Sequence, residues 1–151
     1  MDKELNRLEE VSTRILQPGD LLKLSLGRIM IVDNSADLLE TKEYILNRNR
    51  YTVKTLTNGY DIKKEIIEFQ PQLLLLDIFL ADEDGRNICE ELKKDETTKH
   101  VSILVFSSSH EPLKNFESYY ADGFIDKPFD LKKLLKKITS LLDPVKEPRL
   151  D

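Results

Sequence analysis

The sequence has no tryptophan, one cysteine, two histidines and only five glycines among 151 residues. The lone cysteine, Cys89, excludes an internal disulfide framework and fits a reducing compartment. His100 and His110 stand without cysteine or carboxylate partners at ligand spacing, so no zinc site is expected. No apolar run approaches the roughly 18 residues that would read as a membrane-spanning helix. The opening Met1-Asp2-Lys3-Glu4 carries no apolar stretch of the secretory kind. A basic excess is missing too: 23 Lys and Arg face 28 Asp and Glu, for a net charge of −5, which argues against general nucleic-acid binding. The expectation is a cytoplasmic protein with neither nucleic acid nor membrane as a partner.

What is present is ordinary globular material, 40% hydrophobic and 34% charged, of a length that suits one domain. Residues 1–27 read as an N-terminal amphipathic helix and linker, with Leu5, Leu8, Val11 and Ile15 at helical spacing ahead of Pro18-Gly19. Residues 28–142 alternate between strand and helix signals, and residues 143–151 form a tail marked by Pro144 and Pro148. Strands are predicted at Arg28–Val32, Tyr51–Leu56, Leu73–Leu76, Ile103–Phe106 and Phe124–Ile125. Between them lie a helix capped by Ser35 with Leu38, Leu39, Ile45 and Leu46 on one side, and a shorter one through Ile62, Ile66, Ile67 and Phe69 that stops at Pro71. A third helix carries Ile88, Cys89 and Leu92, a weaker fourth spans about Leu113 to Tyr120, and the last runs Leu131 to Leu142. On that last helix Leu131, Leu134, Leu135 and Ile138 give the buried stripe, so Lys132, Lys133, Lys136 and Lys137 read as a solvated face.

Strands alternating with helices imply an α/β fold with a parallel sheet, and apolar rather than alternating strand patterns imply helices on both faces. The expected architecture is a doubly wound (βα)5 flavodoxin-like three-layer sandwich with strand order 2-1-3-4-5. In such sheets ligands meet the carboxyl ends of the strands. The residues there are Asp33 and Asn34, Asp77, Ser107 and Lys127. Two carboxylates and an amide oxygen suit a hard cation such as Mg²⁺, while a hydroxyl and an ammonium suit phosphoryl oxygens. Taken singly, each has a plainer reading as a helix cap, a turn former or a solvated lysine. Their occurrence together, each at the end of its own strand, points to phosphoryl transfer onto an aspartate.

These residues sit in Ile31-Val32-Asp33-Asn34, Leu75-Leu76-Asp77-Ile78-Phe79-Leu80 with Asp84-Gly85, Phe106-Ser107-Ser108, and Phe124-Ile125-Asp126-Lys127-Pro128-Phe129. In that order, from Arg28 to Leu142, the chain resembles the receiver domains of two-component response regulators. The resemblance implies Asp77 as phosphoacceptor and Mg²⁺ held by Asp33, Asn34, Asp77 and the backbone carbonyl of Phe79. It implies Lys127 as the cation of the acceptor and of the phosphoryl group, and a cis bond from Lys127 to Pro128. Ser107 is implied as the switch hydroxyl and Phe124 as the aromatic that moves with it. It further implies a sensor histidine kinase or histidine phosphotransfer protein as donor. A homodimer through the N-terminal helix, or through the receiver's fourth and fifth helices (here Leu113–Tyr120 and Leu131–Leu142), is one arrangement left open, alongside an N-terminal stripe that packs back on the receiver or serves as a linker.

Three departures qualify the resemblance. Asn34 stands where the family normally has the carboxylate that binds Mg²⁺ directly. Unit charges about 4 Å apart interact by up to roughly 4 kcal/mol at an effective dielectric of about 20, so weakened Mg²⁺ binding is expected. The interval from Ser107 to Lys127 is shorter than is common in the family, which points to a shortened fourth helix or a tightened loop before it. Phe79 is bulky enough to shield the acceptor. It also stands where an aspartate-nucleophile phosphatase would carry its general acid, which argues against an enzyme. The alternative to a phosphorylated relay is a receiver-like docking module that no longer needs phosphorylation, for which Asn34 is the main support. The chain has no room for an output domain after Leu142, so a stand-alone receiver, or one excised from a larger protein, is expected.

Overall fold

The computed structural model describes residues 25–81, 83–107 and 117–142. Nine elements alternate along these stretches: β1 (Gly27–Val32), α1 (Ala36–Arg48), β2 (Tyr51–Leu56), α2 (Ile62–Phe69), β3 (Leu73–Asp77), α3 (Gly85–Lys94), β4 (Ser102–Ser107), β5 (Gly123–Asp126) and α4 (Leu131–Leu142). The strands form one five-stranded sheet of order β2-β1-β3-β4-β5, every neighbouring pair parallel. The predicted doubly wound flavodoxin-like fold is therefore the fold observed. The proposed N-terminal helix and the tail after Leu142 lie outside the described residues, as do Leu113 to Phe116 of the weak helix. Glu117–Tyr119 make a single 3₁₀ turn, closed by Tyr120 at φ 68°.

The inner strands β1, β3 and β4 bury both faces, and the two faces feed two separate cores. Met30, Val32, Leu74, Leu76, Ile103 and Val105 meet Ile62 and Ile66 of α2 and Ile88, Cys89 and Leu92 of α3. Ile29, Ile31, Leu73, Leu75, Leu104 and Phe106 meet Leu39 and Leu46 of α1 and Leu134 and Ile138 of α4. Two layers of helix thus enclose one layer of sheet, because alternate residues of an extended chain point to opposite sides. Burial pushes the Cys89 thiol up to about 12, which leaves it an inert core residue.

Two helical faces differ from the sequence expectation. On α1, Leu38 is 45% exposed, whereas Lys42 is 7% exposed and lies in the buried stripe with Leu39 and Leu46. On α4, Leu131 is exposed and the stripe begins at Leu134, while the four lysines lie in solvent. Helix starts follow ordinary capping chemistry. Ser35 Oγ accepts the Leu38 N–H at 3.3 Å, and Asp84 Oδ1 accepts the Arg86 N–H at 2.9 Å.

Candidate functional site

Parallel alignment in register places the last residues of β1, β3, β4 and β5 along one edge of the sheet, with Val32 beside Leu76, Asp77 beside Phe106, and Ser107 beside Asp126. The predicted residues Asp33, Asp77, Ser107 and Lys127 follow from that edge. Asp33, Asp77 and Ser107 are all buried, an arrangement that needs partners because unpaired buried charge is costly.

The partners are present. Lys127 Nζ donates to Asp77 Oδ2 at 2.8 Å and lies 3.5 Å from Asp33 Oδ2. Asp77 Oδ1 accepts the N–H of Phe79 at 3.0 Å. Asp33 Oδ1 accepts the N–H of Ser35, also at 3.0 Å. The backbone N–H of Lys127 donates to the Ser107 carbonyl at 2.7 Å, tying the loop after β5 to the end of β4, and the Lys127–Pro128 bond is cis. Phe124 packs against the α2–α3 core, and the side chain of Phe79 stands about half in solvent.

The loop behind Asp77 is tightly built. Ile78 bonds across to Phe106 and accepts from Gly85, and Phe79 bridges to Asp84. A Cβ on Gly85 would collide with the Asp77 carbonyl oxygen and lie 2.7 Å from Ile78 Cα. Glycine is the one residue that lets α3 start so close to the Asp77 backbone.

One member of the cluster is absent from the sequence reading. Lys42, from the middle of α1, donates to Asp33 Oδ2 at 3.0 Å. Its ammonium lies 4.5 Å from the centre of the Phe106 ring, and that ring in turn packs at a tilt against Phe129, centroids 5.3 Å apart. Burial would raise the Asp33 pKa, but the Ser35 N–H, Lys42 and Lys127 outweigh it and hold the carboxyl below the usual aspartate range. Burial also pushes the Lys42 ammonium below the usual lysine range, and its bond to Asp33 offsets this only in part. The asymmetry follows from surroundings: Asp33 has three donors around it, whereas Lys42 is bonded to Asp33 alone and feels the like charge of Lys127 as well as the more distant Asp77.

The cluster therefore sets two carboxylates against two ammoniums. Receiver domains generally bind Mg²⁺ at the phosphorylation site, and the donors here suit that ion poorly. Asp33 Oδ2 is taken by lysines, Asp77 is shared between Lys127 and a backbone N–H, and Asn34 is neutral and exposed. No three acidic, histidine or cysteine side chains cluster among the described residues.

Comparison with known proteins places this arrangement. The family model of the response regulator receiver domain matches residues 29–139. The chain is 28% identical over 120 residues to the DNA-binding dual master transcriptional regulator RpaA of Synechocystis, covering 78% of this chain and 49% of that protein. It is 28% identical over 117 residues to the response regulator ArlR of Staphylococcus aureus, covering 78% and 53%. The chain thus spans about half the length of these curated relatives. Among solved structures, the receiver domain of a signal transduction histidine kinase from Syntrophus aciditrophicus superposes with a TM-score of 0.72 at 25% identity, covering 83% of this chain and 96% of that one. Chemotaxis protein CheY4 of Vibrio cholerae shares the fold, with a TM-score of 0.71 at 20% identity, over 78% of this chain and 100% of that one. With its parallel sheet, its strand-end aspartates and the lysine that joins them, the chain belongs to the response regulator receiver domain family.

Proposed function

We propose that Asp77 accepts a phosphoryl group from a histidine kinase or a histidine phosphotransfer protein, and that the signal passes on through altered protein contacts. The observation that carries this reading is the 2.8 Å pair of Lys127 Nζ with Asp77 Oδ2 at the carboxyl edge of the sheet. In the transfer, a carboxylate oxygen of Asp77 attacks phosphorus. The bond from phosphorus to the donor's imidazole nitrogen breaks, and that nitrogen keeps the electron pair. Lys127 offsets the charge that gathers on the phosphoryl oxygens, the Ser107 hydroxyl bonds one of them, and Phe124 moves with Ser107. Residues 28–142 form the receiver in this reading, with 1–27 and 143–151 as flanking segments.

The test is intact mass after incubation with Mg²⁺ and a small phosphodonor such as phosphoramidate. Wild type gains one phosphoryl adduct and Asp77→Asn gains none; an adduct of equal yield on Asp77→Asn overturns the assignment. The second reading, a docking module that works unphosphorylated, is favoured by the Lys42–Asp33 pair, which satisfies Asp33 without any metal. Wild type that takes no adduct at any Mg²⁺ concentration decides for it.

Mg²⁺ affinity is reduced in this reading because Asn34 removes one unit of negative charge. Asn34→Asp binds Mg²⁺ more tightly than wild type in a calorimetric titration, and equal affinities refute the effect.

A further inference from the structure

We propose that Lys42 takes the place of a divalent cation in this crevice, as the resident counter-ion of Asp33. The inference rests on the reading above only in treating the crevice as the phosphoryl and cation site. Three observations meet at this side chain. It is 7% exposed on the face that α1 turns to the sheet, in the same stripe as Leu39 and Leu46. A lysine there is far from the solvated position that its stem and strongly hydrated head normally favour. Its hydrogen-bond partner among the described residues is the one carboxylate at the end of β1, Asp33, at 3.0 Å. Its ammonium is further seated over the face of Phe106, a direction from which a ring attracts a cation.

The charge pattern gives this placement its meaning. Asp33 and Asp77 are matched by Lys42 and Lys127, and the position next to Asp33 is the uncharged Asn34. A divalent ion that took Asp33 as ligand would enter an already balanced cluster and would have to expel Lys42 from its carboxylate. The ammonium has little route of retreat, because its side chain is only 8% exposed. Asn34 and Lys42 thus act in the same direction: one removes a negative ligand, and the other supplies a fixed positive charge.

The test is Mg²⁺ binding by isothermal calorimetry, paired with thermal melts with and without Mg²⁺. It compares wild type with Lys42→Gln, Lys42→Met, Asn34→Asp and the double variant Lys42→Gln/Asn34→Asp. Glutamine keeps a donor for Asp33 without the charge, so one variant retains the local bond if methionine impairs folding. Wild type is expected to show weak binding and a melting temperature that Mg²⁺ leaves unchanged. Lys42→Gln gains at least about tenfold in affinity, more than Asn34→Asp alone, and its melting temperature rises with Mg²⁺. The double variant binds most tightly. The proposal is overturned if the Lys42 variants bind no better than wild type, or if Asn34→Asp alone reaches the affinity of the double variant. No phosphoryl group is involved in the readout, so failure of Asp77 to accept one leaves this result standing.

Discussion

Lys42→Ala lowers the free energy of unfolding at neutral pH by about 3–5 kcal/mol, the range for removing one partner of a buried ion pair. The size comes from what is left behind rather than from the bond that is lost. Asp33 is 1% exposed, and without Lys42 its Oδ2 keeps only Lys127 at 3.5 Å, an ammonium already bonded to Asp77. The same logic makes Asp33→Asn the rescuing change, since a neutral amide needs no counter-ion. The double variant Lys42→Ala/Asp33→Asn is expected to regain a large part of the loss, and urea denaturation of the four proteins measures the coupling. The effect also depends on pH. The folded-state pKa of Asp33 lies below its ordinary 3.8, so its contribution is complete above that value and lost as pH falls through the lower one. The gap between wild type and Lys42→Ala therefore narrows in acid. A gap that stays constant from neutral pH to below the aspartate range would place the cost in lost packing of the lysine stem instead.

Lys127→Ala slows phosphoryl acceptance from a small donor by about 10²–10³-fold, the usual loss when one preorganised donor to a developing charge is removed. Lys127 touches both carboxylates and is itself fixed by its backbone bond to Ser107, so it needs no rearrangement to meet incoming charge. Arginine restores only part of the rate, because a planar guanidinium cannot occupy the space of a compact ammonium between two carboxylates. The measurement is the rate of adduct formation by intact mass under single-turnover conditions. A Lys127→Ala rate equal to that of wild type would remove Lys127 from the reaction and leave it a structural cation.

Much of this arrangement was legible in the sequence because strand ends announce themselves. Unbroken apolar runs such as Leu73–Leu76 end abruptly in a charged residue, and in a parallel sheet all such ends share one edge. Lys42 was missed for an equally physical reason. Lysines are usually solvated, so a count of apolar residues puts the buried side of α1 at Leu38, Leu39, Ile45 and Leu46. The observed stripe is Leu39, Lys42 and Leu46, spaced by three and four, and Leu38 turns outward. That regular spacing was the available signal. It places a lysine on the sheet-facing side in the middle of α1, where only a carboxylate such as Asp33 makes it tolerable. On α4 the same tendency to count every leucine put Leu131 in the core, although the helix has barely begun there.

The contact between Asp77 and Lys127 joins positions 50 residues apart, and Lys127 belongs to the loop after β5. β5 is the shortest of the sheet's five strands, four residues long, and it pairs on one side only. Short edge elements with few neighbours are where native proteins open first. An opening of β5 ahead of the other strands would take Lys127 away from Asp77, while β1, β3 and the Lys42–Asp33 pair stay assembled. If Asp77 accepts a phosphoryl group as proposed, hydrogen exchange at Phe124–Asp126 is expected to track how long Lys127 stays beside it.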